Sequence, residues 1–234
     1  GYDVAYCSNV DLHLDPGVLE RAKVFVSVGH DEYWSKKMFD EARKAFDNGL
    51  SLAFFSGNSV SWEINMFDSS VSGDKCRAFS RNKHFEDEQN LMGTTSYGPG
   101  YGDWVVKNAS HWIYEGTGIR EGEKIPAMIG WEYHGPPAAN IPGLVEVARG
   151  RALQMGETDP GPDEKIHSGV IFPGTRGSWV FNAGTIWWPE ALSQPPGHIP
   201  AGHGPEMRTF GVNPKVQRIT SNILDRMIKD SRRK

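Results

Sequence analysis

An imidazole and two carboxylates crowd into Gly29-His30-Asp31-Glu32-Tyr33-Trp34, directly after the apolar run Val24-Phe25-Val26-Ser27-Val28. Such a run reads as an interior strand, and Gly29 as the tight turn that leaves it. In open α/β sheets, ligands bind at that edge. His30 and Glu32 are two residues apart, so in an extended turn both point to one metal or one reacting group. The plainer reading is that Asp31 or Ser35 caps the helix that follows and His30 is a hydrogen-bonded loop residue.

A second group follows the next apolar run. Gly57-Asn58-Ser59-Val60-Ser61 approximates the nucleophile elbow G-x-S-x-G, with Ser61 in place of the last small residue. An elbow would present Ser59 beside His30, as a serine nucleophile with His30 as base and Asp31 or Glu32 as orienter. In a parallel sheet Asn58 reaches the same edge, where its amide can steady an oxyanion or orient a substrate carbonyl. The alternative for Asn58 is a turn residue bonding its own backbone. Cys76 lies beside Lys75 and Arg77, which favour a thiolate, but nothing else marks it as a nucleophile.

Other stretches carry weaker signals. Gly130-Trp131-Glu132-Tyr133-His134 sets a carboxylate and an imidazole two apart at a strand end, as a pocket lining or a rim hydrogen-bond network. Tyr33, Trp34 and Glu132 are the candidate substrate contacts. Asn182 to Trp188 could wall a pocket, because its small residues permit close backbone approach. His198 and His203 fall in a Pro/Gly/His loop, where exposed histidines are the default.

Composition narrows the classes. The chain has 234 residues, 38% of them apolar, and a net charge of -4. That is enough for a core, and it offers no polybasic surface for nucleic acid or anionic membrane. No apolar run reaches the roughly 18 residues of a membrane span. Cys7 and Cys76 match no zinc spacing or disulfide framework and suit a reducing, cytoplasmic setting. Eight Trp and 27 Gly suggest aromatic walls reached by glycine-rich loops.

The elements that must hold these groups follow from periodicity. Gly1 to Cys7 reads as turn then strand, Asp11 to Arg21 as a short helix with Pro16 as a start signal, and Val24 to Val28 as a strand. Trp34, Met38, Phe39, Ala42, Ala45 and Phe46 have helical spacing, closed by Asn48-Gly49. Leu50 to Phe55 is a buried strand, and Val60 to Phe67 is expected to begin a helix. This alternation predicts one α/β domain over 1–234 with a mostly parallel sheet covered on both faces. Residues from about 93 to 150 read as a β-rich or irregular insertion. Val145 to Met155 reads as a strand, and Val170–Phe172 with Ser178–Phe181 as a hairpin turning at Pro173–Gly177. Asn213-Pro214 starts a closing amphipathic helix, with Val216, Ile219, Ile223, Leu224, Met227 and Ile228 on its apolar face.

Several of these stretches together resemble the C-terminal region of the N,N-dimethylformamidase large (beta) subunit. They are Gly1-Tyr2-Asp3-Val4, Ser27 to Ser35, Leu52 to Asn58, His111 to Gly118, Gly130 to Tyr133, Phe181 to Ile186 and the closing helix. The stretch Gly29 to Trp34 is the most specific. The resemblance implies a class I glutamine-amidotransferase-like, flavodoxin-like fold without the glutaminase cysteine. It implies hydrolysis of an amide C–N bond at a mononuclear iron held by two tyrosines and a glutamate. Glu32 matches the glutamate ligand, and His30 and Asn58 match positions beside the metal. The family's tyrosine ligands come from a segment upstream of Gly1, which implies a piece of a larger protein or a shortened relative, with a non-catalytic amidotransferase-like scaffold domain as the alternative to an enzyme. A lysine of the family pattern is replaced in the local sequence Cys76-Arg77-Ala78. A small formamide-like amide is the implied substrate. A homo-oligomer, a small subunit or the upstream segment is the implied partner.

Overall fold

The computed structural model of the chain describes residues 1–153, 165–197 and 211–233. Its centre is a seven-stranded sheet in the order β1-β3-β12-β11-β10-β7-β8. These strands are β1 (Val24–His30), β3 (Ser51–Gly57), β7 (Tyr101–Val105), β8 (Lys124–Ile129), β10 (Val145–Leu153), β11 (Ile166–Pro173) and β12 (Trp179–Asn182). A second sheet joins β2 (Tyr33–Ser35), β4 (Trp62–Phe67) and β5 (Ala78–His84), and a third pairs β6 (Thr94–Pro99) with β9 (Glu132–Pro137). Among the described residues four α-helices accompany them: α1 (Asn9–Leu14), α2 (Lys36–Asp47), α3 (Gln89–Met92) and α4 (Pro214–Asp230).

The expected flavodoxin-like, mostly parallel α/β fold is overturned. Only β1, β3 and β12 run parallel in the main sheet. From β12 through β11, β10, β7 and β8 every pairing is antiparallel. The result is a β-rich, mixed, curled sheet, not a doubly wound one. The reason lies in the connections. A parallel neighbour needs a crossover, usually helical, whereas antiparallel strands close through turns. Helix α2 spans the crossover from β1 to β3, whereas the long connection from β3 to β12 is mostly strands, and the stretch 93–150 contributes β7, β8 and most of β10 to the main sheet.

Local expectations fared unevenly for physical reasons. Helix α2 forms on the expected apolar spacing, buries Met38, Phe39, Ala42, Ala45 and Phe46, and is capped by the Ser35 hydroxyl on the Met38 N–H. Trp34 precedes it on β2. The stretch Val60 to Phe67 is not helical: Trp62–Phe67 pairs with β2 and β5. Its Trp62, Ile64 and Met66 alternate with polar residues, a period of two rather than 3.6. Gly1 to Cys7 forms no strand, and Asp11 to Arg21 divides into the end of α1 and a 3-10 helix, Pro16–Arg21. Strand β1 is an edge, not an interior strand, with Val26 and Val28 exposed. The hairpin of β11 and β12 and the closing helix α4 form as the sequence implies. His198, His203 and most of the Pro195–Pro205 loop lie outside the described residues, as do the last two residues of the Val145–Met155 strand.

Strands β3 and β12 hold the sheet's two cores apart. Ala53, Phe55 and Phe181 face a cluster with Trp188 and the α4 residues Val216, Ile219, Ile223 and Met227. Leu52, Phe54 and Val180 face the other way, against Met38, Phe39 and Phe46 of α2. Because both faces are covered, every residue of β3 is buried. That makes its C-terminal end a rigid platform.

Candidate active site

Parallel pairing sets the C-terminal ends of β1 and β3 side by side, with His30 in register with Gly57. The chain after β3 then turns sharply. Asn58 (φ 45) and Val60 (φ 54) both take left-handed backbone, which is costly for a β-branched residue. Three bonds hold the turn: Val60 N–H to the Asp31 carbonyl (2.9 Å), Ser61 N–H to the Glu32 carbonyl (3.0 Å) and Ser59 N–H to His134 Nε2 (3.1 Å). The turn is thus stitched to the His30–Glu32 segment on one side and to β9 on the other.

Five polar side chains meet there. Asn58 Nδ2 lies 3.2 Å from His30 Nε2, and the Ser96 hydroxyl donates to Asn58 Oδ1. His30 Nε2 lies 2.7 Å from Glu132 Oε2 and 3.6 Å from Glu32 Oε2. The Glu132 contact is close but off the ideal hydrogen-bond direction, since Glu132 Oε2 is buried and satisfies no strict donor geometry. At that distance opposite charges attract at any angle. Glu132 raises the His30 pKa above its ordinary value, through the hydrogen bond first, against the opposing effect of burial. Asn58 is 7% exposed, whereas the His30 side chain is 38% exposed and reachable from solvent. Glu32 beside the Tyr33 hydroxyl pushes the phenol pKa up.

A cavity of about 340 Å³ opens beside this group. Glu32, Asn58 and Glu132 line it, together with Trp62, His84, Phe85, Glu88 and Thr95. Of the proposed substrate contacts, Glu132 lines it; Tyr33 packs instead against Phe79, with ring centroids 5.6 Å apart. Trp34 is fully buried against Phe25 in the α2 core, so its indole is a packing group. Sequence reading passed over Ser96, Glu88 and Thr95, which sit in unremarkable polar stretches with no spacing to betray them. Trp62 could have been found as the residue that follows the elbow on a two-residue period.

The elbow's serine is elsewhere. Ser59 is fully buried; its hydroxyl shares a 2.6 Å bond with Ser56, which meets Ser27 at 3.0 Å, which donates to Asp31 at 2.7 Å. This relay ties the two loops together. It gives Ser59 no imidazole base, since His134 touches only its backbone. Asp31 therefore anchors the relay and does not orient His30. His134 is itself a core group, bonded to Ser59 and placed against Thr94 and Asn182. Residues 182–188 serve the core as well: Trp188 packs within it and Thr185 bonds the β8 end.

Glu32 and Glu132 offer hard oxygen donors and His30 a nitrogen, a chemistry suited to iron. Among the described residues, however, no group of three or more His, Cys, Asp or Glu is arranged to hold a metal ion. No described helix is long and apolar enough to cross a membrane.

Fold and site together define a β-rich domain that presents an imidazole, an amide and two carboxylates at the mouth of a strained strand-end turn. The sequence model of a family described as N,N-dimethylformamidase beta subunit-like, C-terminal, matches residues 1–202. The chain belongs to that family. No curated protein matches the chain significantly.

Proposed function

We propose that this domain carries the catalytic cleft of an amide hydrolase that cleaves the C–N bond of a small, formamide-like amide. The carrying observation is the convergence of His30 on Asn58, Glu32 and Glu132, three side chains that line one cavity. Family membership supports the reaction class.

Amides are poor electrophiles, so the oxygen that gains charge needs a donor and the leaving nitrogen needs a proton. Asn58 is rigidly held by its strained backbone and by Ser96, and its Nδ2 donates to the developing oxyanion. Water adds to the carbonyl carbon as the C–N bond breaks. The His30–Glu132 pair takes up the water's proton and delivers one to the departing amine. Glu132 keeps the imidazole aimed and favours its charged form.

Glu32 is the ligand in this reading for an iron ion whose other donors come from outside the described residues. Such an ion would polarise the carbonyl and lower the pKa of bound water. A companion chain or a further segment is the proposed source of those donors, in keeping with a family named for a subunit.

The test is amine release from a panel of small amides, with elemental analysis of the same protein. Activity that falls roughly 100-fold or more in His30→Ala and in Asn58→Ala supports the reading. Full activity in both variants, or loss only in Ser59→Ala, overturns it.

A further inference from the structure

Strand β1 closes the main sheet with a bare outer edge. It pairs with β3 alone, in parallel. The Lys23 carbonyl accepts the Ser51 N–H at 3.0 Å, so Lys23 turns its backbone toward β3. Backbone direction alternates along a strand, so Val24, Val26 and Val28 turn their N–H and C=O groups outward. Among the described residues nothing hydrogen-bonds those groups. Val26 is 41% exposed and Val28 57%. The first eight residues are anchored on α4, by Tyr2 to Asp225, and just past β1, by Asn9 to Asp31, yet none of them bonds the β1 backbone. Edge strands are ordinarily blunted by a charge, a proline or a bulge. Val24 to Gly29 has none of these. The other edge of the sheet, β8, is blunted by Lys124 and Pro126.

The residues of this strand fit a second copy of themselves. Val24-Phe25-Val26-Ser27-Val28 is nearly palindromic about Val26. In an antiparallel pair with its two-fold axis at Val26, that valine opposes its own counterpart, and Val24 opposes Val28 of the other copy. The three valines share one face of the sheet, so they form a ladder of β-branched side chains. They are also the residues with outward backbone groups, so each opposed pair exchanges hydrogen bonds. The flanks match in charge. Lys23 is exposed and forms no ion pair among the described residues. Asp31, one residue past β1, is held only by neutral groups, the Ser27 hydroxyl at 2.7 Å and the Asn9 amide at 3.3 Å. The two-fold sets Lys23 of each copy diagonal to Asp31 of the other, within reach of a long side chain.

We propose that the β1 edge is a self-association surface, on which two copies of this chain pair β1 antiparallel about Val26 and merge their main sheets into one. The contact is isologous and uses up the bare edge of both copies, while the blunted β8 edges stay free, so assembly stops at two. So short a strand pairing is smaller than a standard interface, and the dimer therefore dissociates on dilution. The pairing runs up to His30, which puts the Ala22–Lys23 corner of one copy beside the cleft mouth of the other. The inference stands apart from the amide-hydrolase reading, since it rests on the strand edge and not on the cavity.

The experiment is sedimentation of the chain from about 1 µM to about 200 µM, with amide hydrogen exchange read at both ends of that range. A monomer–dimer equilibrium is expected, in which the Val24, Val26 and Val28 amides exchange more slowly at high concentration and those of β8 do not change. Val26→Lys sets like charges across the axis and is expected to weaken association roughly 10-fold or more, while Val26→Thr keeps most of it. Lys23→Glu and added salt are each expected to weaken it a few-fold. A chain that stays monomeric over the whole range overturns the proposal. So does a dimer whose β1 amides exchange as fast as those of the monomer, a reading that needs no variant to fold. Assembly that grows past two, or a dimer left intact in Val26→Lys with an unchanged circular dichroism spectrum, overturns it as well.

Discussion

Acid should destabilise this domain through two histidines that cannot be protonated where they sit. His134 is fully buried, and its Nε2 accepts the Ser59 N–H, so a second ring proton there would face a donor. His167 is fully buried, gives its Nε2–H to the Ala183 carbonyl at 2.9 Å and has no partner for Nδ1 among the described residues. Burial lowers both pKa values, to about 3 for His134 and about 4 for His167. In the unfolded chain each returns to about 6.5. Their neutral forms thus contribute stability that is present above about pH 6.5 and is lost progressively as pH falls toward the folded values. At about pH 5 each costs roughly 2 kcal/mol, and the pair roughly 4, out of the 5–15 kcal/mol typical of a domain. His30 acts in the opposite sense, because its folded pKa is raised: its contribution is full below about pH 6.5 and fades as pH rises. As it is partly exposed, it offsets only a little of the loss. The assay is urea unfolding followed by tryptophan fluorescence, repeated at steps from about pH 7 to about pH 5. His134→Gln should lower stability at neutral pH and also flatten the pH slope by about 1 kcal/mol per pH unit. A stability that stays level from about pH 7 to about pH 5, or an unchanged slope in both His134→Gln and His167→Gln, would refute the reasoning.

A Cβ at Gly57 would lie 2.6 Å from the Glu132 carbonyl oxygen and 2.6 Å from the Ile186 nitrogen. Gly57→Ala should therefore cost about 1–3 kcal/mol and lower the melting temperature by several degrees. It should reduce turnover as well, since Glu132 must move; an unchanged melting temperature would count against this packing. Ser59→Ala should keep amide hydrolysis within a few-fold while losing about 1 kcal/mol of stability, because it breaks only the buried bond to Ser56. Abolished turnover in a folded Ser59→Ala protein would return the serine to the mechanism. Glu132→Gln should lower turnover by roughly 10- to 100-fold and bring the His30 pKa, read by NMR, back toward its ordinary value. Elemental analysis after iron loading should show less metal in Glu32→Gln and undiminished metal in Ser59→Ala; equal loading would remove Glu32 as a ligand.

What could be read along the chain was whatever depends on near neighbours. The apolar spacing, Ser35 cap and Asn48-Gly49 stop of α2, the Asn213-Pro214 start of α4 and the turn of the β11–β12 hairpin are local physics, visible in windows of a few residues. The pairing of His30 with Glu32 at 3.6 Å follows from a two-residue extended spacing. The meeting of His30 with Asn58 needed only that β1 and β3 lie side by side and parallel. The rest was set by contacts distant in sequence. Strand order is a competition among all possible edges, so nothing within the stretch 93–150 shows that three of its strands join the main sheet antiparallel. Whether a tryptophan lines a cavity or fills a core depends on what packs over it, which is why Trp34 and Trp62 could not be told apart by type. Ser59 fits an elbow by pattern, yet the fold closes it inside a chain of serines and gives the cavity to Asn58 instead. Glu88 is one acidic residue in a polar run until β6 brings Thr95 against it and the wall closes around its second oxygen.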